Sequence, residues 1–242
     1  MRNALVTTLL FCCGLRHVSC TLPVRVVYYA FLNPSRWQQI IPAQMKDLVA
    51  CGLLQSAELR VVLSGGLPEL NQAVPIIRQQ VSPHAVHFTL HTDNHYEFPG
   101  ILALHEDSHS NPDGVMLYFH AKGMVFHNSN TRLQRESTLM RYVVAQWKDV
   151  LRAFEQPAVN KVCFGASSSG FCWFNFFWVR STYLQNCSIP RVTHDRYYYE
   201  SYLGTDCSPE QTSTDCYSMV ANVYNKTVFT APEISDILDQ LA

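Results

Sequence analysis

The chain has 242 residues, 48% of them hydrophobic and 15% charged, which is enough apolar content to bury a sizeable core and excludes a disordered chain. Its 18 basic residues are balanced by 19 acidic ones, so there is no basic excess of the kind a nucleic-acid partner requires. No run reaches the roughly 18 apolar residues that cross a bilayer, and no membrane span is expected.

Arg2, the apolar stretch Ala4 to Leu15, and Val18 and Cys20 placed at −3 and −1 before Thr21 have the layout of a signal peptide over residues 1–20. The alternative is a buried N-terminal helix or strand. The first reading gives one domain over 21–242, folded in the secretory pathway (the ER or Golgi lumen) or secreted. Of the nine cysteines, Cys51, Cys163, Cys172, Cys187, Cys207 and Cys216 then remain, an even number compatible with disulfides. Cys207 and Cys216 flank a polar eight-residue loop and are the pair expected to bond. No C-x-x-C occurs, so neither a zinc ribbon nor a thioredoxin motif is expected. Asn186-Cys187-Ser188 and Asn225-Lys226-Thr227 match the glycosylation acceptor pattern.

Val24 to Phe31 is a continuous β-branched and aromatic run, hence a buried strand. Trp37, Ile40, Ile41, Met45, Leu48, Val49 and Leu53 repeat at helical spacing over Trp37 to Leu54, with Ser35 as N-cap. A strand over Leu59 to Leu63, closed by Gly65-Gly66, precedes a helix over Glu69 to Val81 with Pro75 in its middle. Ala85 to Leu90 is a third strand, and Phe98 to His109 a helix stopped by Asn111-Pro112. Val115 begins a fourth strand. Leu133, Met140, Val143, Val144, Trp147, Leu151 and Phe154 lie on one face of a single long helix over Asn130 to Phe154, capped by Ser129 or Asn130. Beyond it, Lys161 to Phe164 and Trp173 to Arg180 are short aromatic strands in an irregular C-terminal third. Alternating strands and helices predict the α/β class: a mostly parallel central sheet with helices on both faces, Rossmann-related.

The stretch Val-Met-Leu-Tyr-Phe-His-Ala-Lys-Gly (115–123) carries the strongest chemical signal. It is an apolar strand ending in His120, Lys122 and Gly123, and ligands of open α/β sheets bind outside the carboxyl ends of the strands. Alternation puts His120 and Lys122 on one face, where an imidazole and an ammonium suit an anion such as phosphate. A solvated turn lysine beside an ordinary strand-end histidine is the plainer alternative. His105-Glu106-Asp107-Ser108-His109 matches the H-E-x-x-H zinc-peptidase pattern, but it ends its helix, and Pro112 interrupts before a third ligand follows. His84, His87, His91 and His95 have no ligand spacing, and Asp93-Asn94-His95 has the composition of a turn. Phe174 to Arg180 offers an aromatic wall for a sugar ring, with Asn175 for polar selectivity, or simply a buried strand. Asp195-Arg196-Tyr197-Tyr198-Tyr199-Glu200 sets two carboxylates among aromatics, as a general base requires, or is a surface helix capped by Asp195.

The order of these segments, Tyr-Phe-His-Ala-Lys-Gly, a long helix with Trp147, Asn-Phe-Phe-Trp-Val-Arg, then Asp-Arg-Tyr-Tyr-Tyr-Glu, resembles polysaccharide-type glycosyltransferases of the GT-A class that carry H-x-K-G and F-W-x-R segments. The likeness covers about Val24 to Gly204. It implies a nucleotide-diphospho-sugar donor over the first strand ends, contacted by Tyr29, His120, Lys122 and Gly123. It also implies a carbohydrate or glycoconjugate acceptor near Asn175, Trp178 and Arg180, and a catalytic carboxylate at Glu200, with Asp195 as the other acidic candidate. The D-x-D metal motif usual in that class is missing; His120-Ala121-Lys122 stands in its place, so either His120 and Lys122 replace the metal's charge on the departing diphosphate or the donor site is degenerate, and a divalent metal stays an open alternative. A zinc peptidase using His105, Glu106 and His109 and a non-catalytic carbohydrate-binding relative are the competing functions.

Overall fold

β1 (Val24–Leu32) is apolar almost throughout, as a strand covered on both faces must be. Its residues 24, 26, 28, 30 and 32 enter one core, and Val27 and Tyr29 enter a second core on the opposite face. The computed structural model describes residues 22–32, 36–121, 130–195, 197–207 and 213–242. The expected signal segment, the caps Ser35 and Ser129, and Lys122 and Gly123 lie outside the described residues.

After β1 come α1 (Trp37–Ala50), β2 (Ala57–Gly65), α2 (Leu67–Val81), β3 (Val86–His91), α3 (Phe98–Ser110) and β4 (Val115–His120). They are followed by α4 (Asn130–Leu139), α5 (Trp147–Ala153), β5 (Lys161–Cys163), β6 (Phe177–Arg180), α6 (Ser181–Gln185) and α7 (Tyr197–Thr205). β7 (Cys216–Ser218), α8 (Ala221–Tyr224) and α9 (Ala231–Leu241) complete the chain. The seven strands form one sheet in the order β3-β2-β1-β4-β6-β5-β7. β1 pairs in parallel with β2 and β4, β2 with β3, and β5 with β7, while β6 runs antiparallel to both its neighbours. α1, α2, α5 and α9 cover one face, and α3, α6 and α7 the other. The protein is therefore of the α/β class, with a mostly parallel, Rossmann-like sheet.

Three departures from the sequence expectations have local causes. α1 stops at Ala50 because Gly52 adopts a left-handed φ of 77° and turns the chain into a short 3₁₀ segment, Leu53–Gln55. The long helix expected over Asn130 to Phe154 is broken by a π turn at Met140–Val144, in which the Ala145 amide bonds the Met140 carbonyl at 2.8 Å. That turn leaves the Val143 carbonyl to accept from the Trp178 indole N–H at 2.7 Å. The strand expected from Trp173 to Arg180 begins only at Phe177. Trp173–Asn175 is a 3₁₀ turn with positive φ at Phe174 (69°) and Asn175 (52°).

The disulfide joins Cys187 to Cys207, not Cys207 to Cys216. The parallel register of β7 on β5 sets Cys216 beside Lys161, while the Ser188 amide reaches the Asp206 carbonyl at 2.9 Å and brings the segments after α6 and α7 together.

Candidate active site

The strand order reverses between β1 and β4, with β2 and β3 on one side and β6, β5 and β7 on the other. In open α/β sheets the ligand crevice lies outside the carboxyl ends of the strands at such a switch point. Register pairs Tyr29 with His120, so two of the residues singled out from sequence stand side by side there.

His120 is 6% exposed and faces the α3 side of the sheet, stacked on Tyr118. Its Nδ1 lies 3.5 Å from Glu97 Oε1, and its Nε2 lies 3.3 Å from the Phe174 carbonyl oxygen. Both ring nitrogens thus face oxygen atoms of the surrounding cluster. On the other face of the sheet, the Gln44 amide reaches the His120 carbonyl at 3.5 Å and accepts from the Tyr28 hydroxyl at 2.7 Å.

Glu97 stands immediately before α3 and is the centre of the cluster. Its Oε2 accepts from Asn175 Nδ2 at 2.6 Å and from the Tyr118 hydroxyl at 3.4 Å. The start of α3 can come this close because residue 100 is glycine. A Cβ there would lie 2.6 Å from the Tyr29 Cβ and 2.8 Å from the Tyr118 hydroxyl. The Tyr29 hydroxyl donates to the Tyr96 carbonyl. Burial, reinforced by the Glu97 carboxylate, pushes the Tyr29 and Tyr118 phenols well above their ordinary value, so both remain neutral donors.

Asn175 is buried, and its Nδ2 also donates to the Tyr199 carbonyl at 3.2 Å, tying the 173–175 turn to the start of α7. Glu200 is the next residue on that helix. It is half-buried, and its carboxylate has no hydrogen-bond or ion-pair partner among the described residues. Asp195 behaves differently. Its Oδ1 accepts from the Tyr197 amide at 2.9 Å and its carbonyl from the Tyr198 amide at 3.2 Å, which caps the first turn of α7.

Backbone strain gathers at the same place. Among the described residues four non-glycines have positive φ, and three of them, Tyr96, Phe174 and Asn175, supply groups to this cluster. Such conformations persist where the surroundings over-determine them, characteristically at functional sites.

Trp178 and Arg180 are not in the crevice. Trp178 is fully buried in the α1-side core. Arg180 pairs with Val115, at the opposite end of β4 from His120, and donates to the carbonyls of Val159 (2.7 Å) and Phe154 while lying over the Phe154 ring. Both anchor the fold: Trp178 turns into the α1-side core, and the antiparallel run of β6 on β4 carries Arg180 away from the crevice.

Among the described residues His105, Glu106 and His109 do not gather as a set of convergent metal ligands. His105 is buried, which lowers its pKa, and Glu106 is bonded to Arg60 at 3.1 Å. Among the described residues no third ligating side chain converges on the two histidines. Glu97 is committed to Asn175, Tyr118 and His120, and among the described residues no second carboxylate joins it.

Glu97, Tyr96 and Gly100 were not legible as site residues from the sequence. Their one signal is Glu97-Phe98-Pro99-Gly100, an acid and a proline at a helix start that follows a strand, which aims α3 at the same carboxyl ends. Set against known proteins, the chain matches no family model and no curated protein sequence.

Proposed function

We propose that the protein is a glycosyltransferase that moves a sugar from a nucleotide-diphospho-sugar to an acceptor hydroxyl. The observation that carries this reading is the convergence of His120, Glu97 and Asn175, drawn from β4, the start of α3 and the 173–175 turn, at the switch point of an open α/β sheet. In this reading the diphosphate lies over the ends of β1 and β4. His120 offsets charge on the departing diphosphate, with Lys122 and Gly123, the next residues but one and two along the chain, as its further expected contacts. The sugar and acceptor lie toward Asn175 and α7. Glu200, a carboxylate without a hydrogen-bond or ion-pair partner among the described residues, takes the proton of the acceptor hydroxyl. The acceptor oxygen then bonds to the anomeric carbon, the bond from that carbon to the phosphate oxygen breaks, and the nucleoside diphosphate leaves. No step is routed through a metal ion.

The test is a thermal-shift and calorimetric panel of uridine, guanosine and cytidine nucleotide-sugars against the corresponding monophosphates, followed by product analysis. One diphospho-sugar should bind well above its monophosphate. His120→Ala should weaken that binding, because it removes the side chain that ties Glu97 and the Phe174 carbonyl together at the strand ends. Glu200→Gln should leave donor binding intact and lower transfer by about 10²–10⁴-fold. If no nucleotide-sugar in the panel binds and no transfer or donor hydrolysis is detected, the reading is wrong.

A further inference from the structure

Cys163, Cys172 and Cys216 come from β5, from the segment before the 173–175 turn and from the start of β7, yet their sulfurs all lie within 4.8 Å of one another. The Sγ of Cys216 is 3.6 Å from that of Cys163 and 4.0 Å from that of Cys172. Two thiolates on one tetrahedral zinc ion, at about 2.3 Å each, sit roughly 3.8 Å apart. A disulfide joins only two sulfurs, at about 2.05 Å, and leaves a third without a role. The sulfurs of Cys163, Cys172 and Cys216 are spaced for a shared centre.

The surroundings suit such a centre. Cys163 and Cys172 are buried, and Cys216 is partly exposed, which leaves a path from solvent. Lys161 is wholly buried, stands two residues from Cys163 on the same face of β5, and lies opposite Cys216 in the register with β7. Its ammonium is held by Asp215 at 2.9 Å, the Gly170 carbonyl at 2.8 Å and the Tyr183 hydroxyl at 2.9 Å. Lys161 is thus a fixed cation beside Cys216, and three thiolates on a divalent ion leave one net negative charge for it to offset. Among the described residues no other histidine, cysteine or carboxylate joins the group, so the fourth tetrahedral position falls to water or an external ligand.

We infer that Cys163, Cys172 and Cys216 form a binding site for a thiophilic divalent cation of the zinc class. Sulfur donors select against magnesium, calcium and manganese. Binding replaces thiol protons with the metal and releases them, with no change of oxidation state. The inference does not rest on glycosyl transfer at the crevice, which lies at other strand ends.

The full chain, purified without chelator and kept reduced, is titrated with Co²⁺ and then Zn²⁺. One Co²⁺ per chain should bind with intense thiolate-to-cobalt absorption, and Zn²⁺ should displace it. Cys172→Ser should abolish that absorption, whereas Cys51→Ser, at the end of α1 on the other face of the sheet, should retain it. Because a cysteine variant can misfold, the wild-type chain supplies an independent reading: alkylation mapped by mass spectrometry, with Zn²⁺ or with EDTA. Zinc should slow modification of Cys163, Cys172 and Cys216 at least tenfold and leave Cys51 unchanged. Equal alkylation in both conditions overturns the inference. So does reduced, folded protein that takes up no cobalt, including the case in which the unreduced chain carries a disulfide between two of the three.

Discussion

From β1 to β4 the strands are six or nine residues long and pair in parallel over their full length, whereas beyond α5 they shrink to three or four. The first region is held by buried area on two faces of a regular sheet. The second is held by directional contacts that reach far along the chain. The Trp173 indole donates to the Phe229 carbonyl at 2.8 Å, the Tyr183 hydroxyl to the Leu203 carbonyl at 2.8 Å and the Tyr202 hydroxyl to the Ser188 carbonyl at 2.6 Å, and one disulfide joins the segments after α6 and α7. The strained residues Phe174 and Asn175 lie where the second region meets the first, which is also where the candidate active site stands. A regular sheet supplies the crevice, and an irregular appendage supplies part of the polar groups that converge in it.

The largest effect on this comparison is expected at the seam. Trp178 packs in the first region's core while belonging to β6, and its indole is bonded to the π turn. Trp178→Ala should cost about 3–5 kcal/mol, the usual range for truncating a buried aromatic. Urea denaturation measures it. A loss under about 1 kcal/mol would mean that the two regions are not joined through this side chain.

The disulfide tests the appendage alone. Cys187 and Cys207 are 20 residues apart, so replacing both by alanine should cost about 2–4 kcal/mol, mostly through the freed unfolded chain. Hydrogen exchange should quicken in α6 and α7 and leave β1 to β4 protected. Equal acceleration in both regions would make them one cooperative unit and remove the distinction drawn above.

The same division explains what the sequence could reveal. β1 to β4 and α1 to α3 follow from periodicity because their side chains answer only to the two faces of one sheet. His120 was legible as the last residue of an apolar strand. The π turn at Met140–Val144 was not, because the demand for the Val143 carbonyl comes from Trp178, 35 residues away. Trp178 and Arg180 lie away from the crevice for a related reason: β6 runs antiparallel to β4, a long-range pairing that no residue type in Trp173 to Arg180 announces. The pairing of Cys187 with Cys207 depends on how β7 docks beside β5, a long-range fact that sequence proximity to Cys216 concealed.

Asp195 sharpens the assignment within α7. As the cap of the first turn, its replacement by alanine should cost about 0.5–2 kcal/mol in thermal or chemical denaturation while leaving donor binding unchanged. Loss of transfer in a stable Asp195→Asn protein, with Glu200→Gln fully active, would exchange the roles of the two carboxylates.

The smallest effect concerns the attachment of α9, the last helix of the irregular region, to the regular one. Thr230 and Glu233 form a capping box, Lys226 Nζ lies 2.6 Å from Glu233 Oε1, and Ile234, Ile237 and Leu238 enter the α1-side core. The Lys226 ammonium, followed by the Thr230 amide and hydroxyl, holds the Glu233 carboxyl down from 4.5 to about 2. A carboxyl depressed in the folded state binds its proton more readily in the unfolded one, so the stability it lends is fully present above its ordinary value of 4.5 and is lost as the pH falls toward 2. The difference in melting temperature between wild type and Glu233→Gln should therefore be constant from neutral pH to about 5, and close progressively below it. Because the group is exposed, the gap should be smaller than that for Asp195, and added salt should narrow the share due to Lys226 without removing the share due to the cap. A gap of the same size at pH 2 and pH 7 would show that the carboxylate charge has no part in fastening this helix, and that its apolar face alone holds it to the sheet.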